Sequence, residues 1–320
     1  MEHLNKKVLV TGGAGFVGSH LVDRLIGEGY KVIVIDNLSS GRKDNLRPEY
    51  FKGKNPALRF YKIDICDPKI SEIFRKEKPE FVFHFAAHIE ARESVKDPIF
   101  DAQVNILGSI NILENCRKFN IKKIIFSSSG GEIYGAAKKI PTSENYSPCP
   151  LSPYGAGKLA VEKYLDVYYY LFNLPYVALR YGNIYGPRQN PNGEAGVIAI
   201  FTNKMLKNEQ AFLHGNGKQS KDYIFIEDVI EATFLSFKRK FTGIINIGTA
   251  KETSVLEIFK KIKALTQSKT REKHIPLPPC SFKRGCLSIK KAKREINWQP
   301  KYNLERGLKI TVEWFRSKTK

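Results

Sequence analysis

The run Val8-Leu9-Val10-Thr11-Gly12-Gly13-Ala14-Gly15-Phe16-Val17-Gly18 constrains this chain more than any other stretch. A short β-branched strand passes directly into a GxxGxxG turn and then into a helical pattern. Gly12 permits the tight turn, Gly15 lets backbone approach a pyrophosphate, and Gly18 lets the helix lie close to the strand. The helix N-terminus then faces the anion. Such a turn alone is a weak signal, but Asp36 closes a second strand eighteen residues after Gly18. A carboxylate there accepts from adenosine ribose hydroxyls and repels a 2′-phosphate, so the pattern predicts NAD over NADP. The plain alternative is a glycine-rich turn followed by an acidic loop residue. Asp64 and Ile65, after a third strand, are placed to flank the adenine; an Asp opening a helix as its N-cap explains that position equally well.

The first turn motif extends into a pattern. Short apolar runs at Val8–Val10, Val32–Ile35, Phe81–Phe85 and Lys123–Phe126 alternate with helical stretches at Ser19–Glu28 and Asp101–Phe119. Strand, helix, strand at this spacing implies parallel pairing with right-handed crossovers, hence an α/β fold with a doubly wound parallel sheet. The strands do not alternate apolar and polar, as expected when both faces are covered. After Tyr185 the loop GPRQNPNGEAG leads to a helix around Ile198–Lys207. Tyr223–Ile226 with a helix Asp228–Phe237 reads again as core sheet material, so a smaller C-terminal lobe is expected to interleave with the first domain. The expected division is 1–186 with 222–240, and 187–221 with 241–320.

Composition excludes several classes. The chain has 320 residues, 42% hydrophobic and 27% charged, enough for a core of ordinary size. No apolar run approaches the roughly eighteen residues that span a bilayer, and MEHLNKKVLVTGG reads as a first strand, not a signal peptide, so a soluble cytoplasmic chain is expected. Five cysteines without CxxC spacing predict neither a disulfide framework nor a structural zinc, and no metal is expected. The net charge of +21 is uneven: residues 238–320 carry +16 and residues 1–237 only +5. A polyanion surface would use that field, and so would a site for a diphosphate. No nucleic-acid-binding motif accompanies the charge, so nucleic acid is not the expected partner.

Tyr154-Gly155-Ala156-Gly157-Lys158 opens a helix reaching Leu171. Residues at i and i+4 share a helix face, so the Lys158 ammonium can sit near the Tyr154 phenol, stabilise phenolate and make it a proton acceptor at neutral pH. A lone YxxxK is more often a surface aromatic with a solvated lysine. Its company matters: Phe126-Ser127-Ser128-Ser129 ends what reads as the fourth sheet strand, at the carboxyl edge where α/β sheets bind ligands. A serine there can hydrogen-bond a substrate oxygen. His84, His88 and His214 read as packed or loop histidines.

At these residues the chain resembles the extended short-chain dehydrogenases/reductases, with a Rossmann-like domain, and within them most closely the UDP-glucose 4-epimerases. The resemblance runs through VTGGAGFVGSHLVDRLI, VIDNLSSG, VFHFAA, FSSSGGEIYG, SPYGAGK, LRYGNIYGPRQ, GEAGVIAIF, DYIFIEDV and NWQP, nearly the whole length. It implies an NAD-dependent nucleotide-sugar 4-epimerase acting on UDP-glucose and UDP-galactose or the N-acetylhexosamine pair, as a homodimer. Tyr154 would be the base, Ser129 its hydroxyl partner, and Lys158 the ammonium. NAD contacts are implied at Gly12, Gly15, Phe16, Val17, Gly18, Asp36, Asn37, Leu38, Ser39, Ser40, Gly41, Asp64, Ile65, Phe85, Ala86, Ala87, Asn105, Ser127, Tyr154 and Lys158. Asn183 would contact the sugar nucleotide, Val197 and Phe212 its uridine part, and Lys221 the diphosphate. The run Tyr168–Phe172 is apolar enough to support self-association; core burial explains it equally well.

Three positions depart from the family pattern. FSSSGGEIYG is one residue longer before Tyr134 than the commonest epimerase form, leaving Ser128 or Ser129 as the acting hydroxyl. The same count places Glu132 where 4,6-dehydratases and UDP-glucuronate decarboxylases carry a glutamate, while Gly131 stands where a dehydratase needs an acid. Lys221 replaces a usual arginine and loses its bidentate fork. The usual Arg-x-Gly-Asp diphosphate clamp aligns with Pro278-Pro279-Cys280-Ser281, so Lys283 or Arg284 is expected to replace it. The remaining alternatives are another nucleotide-sugar enzyme on this fold and a catalytically weak polyanion-binding member.

Overall fold

The computed structural model describes residues 6–192, 196–277 and 283–319. Its strands in chain order are β1 (Lys7–Thr11), β2 (Lys31–Ile35), β3 (Leu58–Tyr61), β4 (Phe81–His84), β5 (Lys123–Ser129), β6 (Tyr176–Tyr181), β7 (Asn183–Tyr185), β8 (Leu213–His214), β9 (Ser220–Lys221), β10 (Tyr223–Phe225), β11 (Gly243–Ile247), β12 (Thr253–Ser254) and β13 (His274–Ile275). One seven-stranded sheet runs in the order β11-β6-β5-β4-β1-β2-β3. β1 pairs parallel with β2 and β4, β2 with β3, and β4 with β5. Winding proceeds outward in both directions from the β1/β4 pair, the switch point at which open α/β sheets leave a ligand crevice.

The main helices are α1 (Phe16–Gly27), α2 (Ile70–Glu77), α3 (Ala91–Lys96), α4 (Pro98–Ala102), α5 (Gly108–Lys118), α6 (Gly130–Tyr134), α7 (Pro153–Phe172), α8 (Val197–Leu206), α9 (Ile226–Lys238), α10 (Val255–Thr266), α11 (Lys290–Ile296) and α12 (Leu304–Thr319). By contacts the chain divides into two compact units: 1–128, 153–179 and 233–244 in the first; 129–152, 180–232 and 245–320 in the second. Compared with the division expected from sequence, 129–152, 180–186 and 222–232 fall in the second unit and 241–244 in the first. The chain changes unit near the carboxyl ends of β5 and β6, just before α7, within α9 and inside β11, not at 186/187 and 221/222.

In the first unit, side chains from the sheet and its helices bury together: Leu9, Ile33, Val82, Ile124 and Phe126 from strands, with Ile112, Leu113, Val161 and Leu165 from α5 and α7. On α9, the Phe237 ring meets Tyr30, Phe81 and Phe83 edge-on at 5.7, 4.9 and 5.1 Å. Truncating a buried Phe of this kind costs about 3–5 kcal/mol. The Lys123 ammonium of β5 caps that helix, donating to the carbonyls of Ser236 (2.9 Å) and Arg239 (2.7 Å). In the second unit, α8 packs on α10 and α12, with Phe201 edge-on to Phe259 at 5.5 Å.

Three details differ from the expectations. Tyr223–Phe225 is not in the large sheet but pairs parallel with Asn183–Tyr185 in a separate ribbon; short apolar runs do not say which sheet they join. Lys123–Ser129 is the fifth strand in chain order, not the fourth, once the expected strand before Asp64, Leu58–Tyr61, is counted. The helix expected over Asp101–Phe119 is broken by a π-turn at Gln103–Leu107. That turn carries the buried Asn105, whose side-chain oxygen accepts from His88 N and whose amide nitrogen donates to His88 O and to Asp101 Oδ1, each at 2.9 Å. Wide turns of this kind recur at functional sites. Among the described residues no helix is long and apolar enough to cross a membrane, and no group of three or more His, Cys, Asp or Glu is placed to hold a metal ion.

Candidate active site

The glycine turn in the first unit is shaped by close approach. Gly12 has φ +68°, and a Cβ there would lie 2.7 Å from Ala86 N; a Cβ on Gly18 would lie 2.1 Å from Gly12 O. An added Cβ on Gly15 meets only Gly12 O, at 3.1 Å. The N-terminus of α1 at Gly15 has no side-chain cap and no acidic residue in its first turn. These are features a pyrophosphate requires: a helix N-terminus without a side-chain cap or an acidic residue in its first turn, reached over glycines that add no Cβ. The residues present fit a dinucleotide.

Asp36 braces the turn. Its Oδ2 accepts from Ala14 N (2.9 Å) and its Oδ1 from Leu38 N (2.8 Å). Burial raises its pKa and those backbone donors oppose the rise. Gly41 lies tight against the same carboxylate, since a Cβ there would meet Asp36 Oδ2 at 2.9 Å. Asn37 donates to Asp64 Oδ2 (2.7 Å) and accepts from Ser39 N (2.9 Å); Ser40 lies between Ser39 and Gly41 and is exposed. Burial works to raise the Asp64 carboxyl, but the Cys66 N–H and the Asn37 amide outweigh it and hold it low. Asp64 caps no helix, because α2 begins at Ile70. With Cys66, Phe100 and Gln103 it lines an open recess. Phe85 N and Ala86 N donate to Thr11 Oγ1 at 3.1 and 3.2 Å. Ile65 is buried; Ala87, Phe16 and Val17 are half-buried, and Phe16 lies edge-on to His20. His84, buried between Thr11 Oγ1 (2.7 Å) and Ser109 Oγ (2.9 Å), is brought down to about 3 by burial and by the charge of Lys158.

Tyr154 and Lys158 stand one turn apart on α7, with the Lys158 ammonium 5.8 Å from the centre of the Tyr154 ring and 4.8 Å from that of Phe126. Lys158 is 3% exposed and donates to Ser127 O at 2.9 Å. Burial brings its ammonium down to about 8, against the upward pull of Asp101 and Glu162. Neither carboxylate was among the residues singled out from sequence. Glu162 was findable, because Tyr154, Lys158 and Glu162 stand at i, i+4 and i+8; Asp101 was not, since it reaches α7 from a separate helix, 3.6 Å from where a Gly157 Cβ would be. The His88 Nδ1 lies 2.9 Å from Asp101 Oδ1.

The two candidate serines differ. Ser128 Oγ is buried and donates to Glu162 Oε1 at 2.6 Å. Ser129 Oγ caps α6, accepting from Glu132 N.

In the second unit, Glu132 and Lys221 form a charge pair. Burial raises the Glu132 carboxyl, opposed by Lys221 and by Ser152 Oγ, which donates to Glu132 Oε2 at 3.1 Å. Burial brings Lys221 down to about 7 with Glu132 opposing. Next to it, Asp222 is buried and accepts from Thr249 N, Thr249 Oγ1, Ala250 N and Leu287 N at 2.7, 2.6, 3.2 and 3.1 Å. Gly130, Tyr134, Asn183, Asp222 and Leu287 line a small recess. Asn183 is exposed, with its N–H on Asp222 O; Val197 begins α8, half-buried, and Phe212 is exposed beneath Lys204. Arg284 directs two arms of its guanidinium at Glu252, which also accepts from Ser220 Oγ, whereas Lys283 is exposed and its carbonyl accepts from Ser220 N. Pro278–Ser281, where the usual clamp aligns, lies outside the described residues.

A nucleotide-binding turn, a Tyr/Lys helix and a strand-end serine on a doubly wound sheet define the class as an extended short-chain dehydrogenase/reductase. The chain belongs to the family described as GDP-mannose 4,6 dehydratase, whose sequence model it matches over residues 9–311. It is 39% identical over 314 residues to a UDP-glucose 4-epimerase of Mycolicibacterium smegmatis, covering 98% of this chain and 99% of that protein. The crystal structure of UDP-glucose 4-epimerase with UDP-glucose from Thermotoga maritima is similar at a TM-score of 0.93 and 44% identity, covering 98% of this chain and 100% of that one. The Thermus thermophilus UDP-glucose 4-epimerase in complex with NAD is similar at a TM-score of 0.91 and 38% identity, covering 97% and 99%.

Proposed function

We propose that this chain is an NAD-dependent nucleotide-sugar 4-epimerase interconverting UDP-glucose and UDP-galactose, or the corresponding N-acetylhexosamines, through a 4-keto sugar. The observation that carries the reading is the buried Lys158 ammonium beside Tyr154, anchored on Ser127 O at the carboxyl end of β5. The dinucleotide is assigned to the first unit, with Gly12, Gly15 and Gly18 at the pyrophosphate and Asp36 at the ribose, and the UDP-sugar to the second.

Bound there, the nicotinamide supplies a reversible hydride acceptor at the sugar C4. Tyr154, as phenolate, takes the proton of the sugar 4-hydroxyl while C4 loses its hydride, and returns the proton once the keto sugar has presented its other face. Lys158 lowers the energy of the phenolate. Ser129 is assigned to the substrate oxygen in preference to Ser128, whose proton is already given to Glu162. Lys221, with Lys283, is assigned to the diphosphate.

A second reading is favoured by Glu132: a carboxyl raised by burial is suited to proton donation, the need of a UDP-glucuronate decarboxylase or a 4,6-dehydratase. Gly131 lacks the acid a dehydratase would add. We also infer a homodimer, since Ile99, Phe100, Leu107, Val167, Tyr170 and Leu171 of the first unit are exposed apolar side chains.

Purified protein incubated without added cofactor with UDP-glucose, UDP-N-acetylglucosamine and UDP-glucuronate distinguishes the readings. The first predicts UDP-galactose or UDP-N-acetylgalactosamine. Carbon dioxide and a UDP-pentose from the uronate, with no 4-epimer of any sugar, would replace it with the second.

A further inference from the structure

We propose that Glu162 is a positioning residue for the reaction, holding Lys158 in its ammonium form beside Tyr154 and tying the end of β5 to α7 through Ser128. The inference rests on the epimerase reading, in which Lys158 must carry charge. Glu162 is fully buried, and a buried carboxylate is costly unless it is hydrogen-bonded and compensated. Both conditions are met by neighbours of the catalytic pair: Ser128 Oγ donates to its Oε1 at 2.6 Å, and Lys158, one turn earlier on α7, supplies the opposite charge. Consecutive residues of β5 therefore hold consecutive turns of α7, Ser127 O on Lys158 at 2.9 Å and Ser128 Oγ on Glu162.

The groups facing Lys158 come from three directions. Tyr154 and Glu162 share its helix. Asp101 approaches from α4 and is itself bound by His88 and Asn105. His84 approaches from β4 and stays neutral, as burial and the lysine charge both disfavour its cation. Glu162 and Asp101 are thus the carboxylates that oppose burial at Lys158, and removing either charge shifts the lysine toward its neutral form at lower pH.

The test compares kcat against pH for holoenzyme carrying Glu162→Gln or Glu162→Asp with wild type. Glutamine keeps an acceptor for Ser128 and removes the charge, so the basic limb should move to lower pH by about one unit with KM within about twofold. The aspartate variant, its carboxylate drawn back by one methylene, should move the limb the same way by less. A purely structural Glu162 would lower thermal stability and leave the limb where it is, which would overturn the proposal, as would an aspartate variant displaced further than glutamine. The Lys158 side chain is also followed directly, by its 13Cε resonance on titration, assigned by its loss in Lys158→Arg. If wild type turned over no UDP-sugar but that titration moved to lower pH in Glu162→Gln, the epimerase reading would fail and the role of Glu162 would stand. Coincident titrations in the two proteins would refute that role whatever the turnover.

Discussion

Lys158 in the first unit and Lys221 in the second present one problem solved in two ways. Lys158 is buried and Lys221 half-buried, and burial lowers both. Lys158 is held by a backbone carbonyl and faces two carboxylates, Asp101 and Glu162; it lies near 8. Lys221 has Glu132 opposing its shift and lies near 7. Two carboxylates oppose burial at Lys158 and one at Lys221, so counter-charge favours the cation more strongly at Lys158. The proposed roles match. In this reading a fixed ammonium stands beside a phenolate that forms on every turnover, whereas a lysine facing a diphosphate takes up a proton from solvent as the charge of the ligand favours its cation.

The comparison breaks most visibly at the phenol. Tyr154→Phe should reduce kcat by about 10³-fold or more while the purified protein keeps its dinucleotide, read by absorbance after denaturation. Lys158→Met should cost about 10²-fold or more in kcat and Lys221→Met about tenfold in KM with kcat nearly kept. If both variants altered the same parameter, the two lysines would not have separate tasks. Wild-type kcat should fall as pH rises through about 8, where Lys158 loses its proton. Affinity for UDP should weaken severalfold as pH rises through about 7 for the same reason at Lys221. Lys221→Arg, which cannot lose its proton in this range, should flatten that second dependence in a calorimetric titration. The smallest contrast concerns the neighbouring cations: Lys283→Ala should weaken UDP binding about threefold or more, and Arg284→Ala by less than about twofold, because Arg284 is already engaged by Glu252.

What could be read from the residues followed the range of the interactions. The glycine turn, Asp36 and the Tyr154/Lys158 register are local patterns set by strand and helix geometry, and they are where the structure places strand, turn and helix. The partners of Asp222 lie 27 to 65 residues away, and Glu252 meets Arg284 across 32 residues. No periodicity announces such pairs, so Arg284 looked as available for a diphosphate as Lys283. Tyr223–Phe225 misled for a related reason: three apolar residues satisfy a large sheet or a two-stranded ribbon alike. Glu162 was visible in register, yet a glutamate in a helix ordinarily reads as surface until its burial is known.

The central claim is that this site oxidises and re-reduces the sugar at C4 with the same hydride. Supplying UDP-glucose deuterated at C4 and examining the UDP-galactose by NMR tests it directly. The account predicts deuterium retained at C4, with slower turnover than for the protiated sugar; product carrying solvent hydrogen at C4 would contradict it.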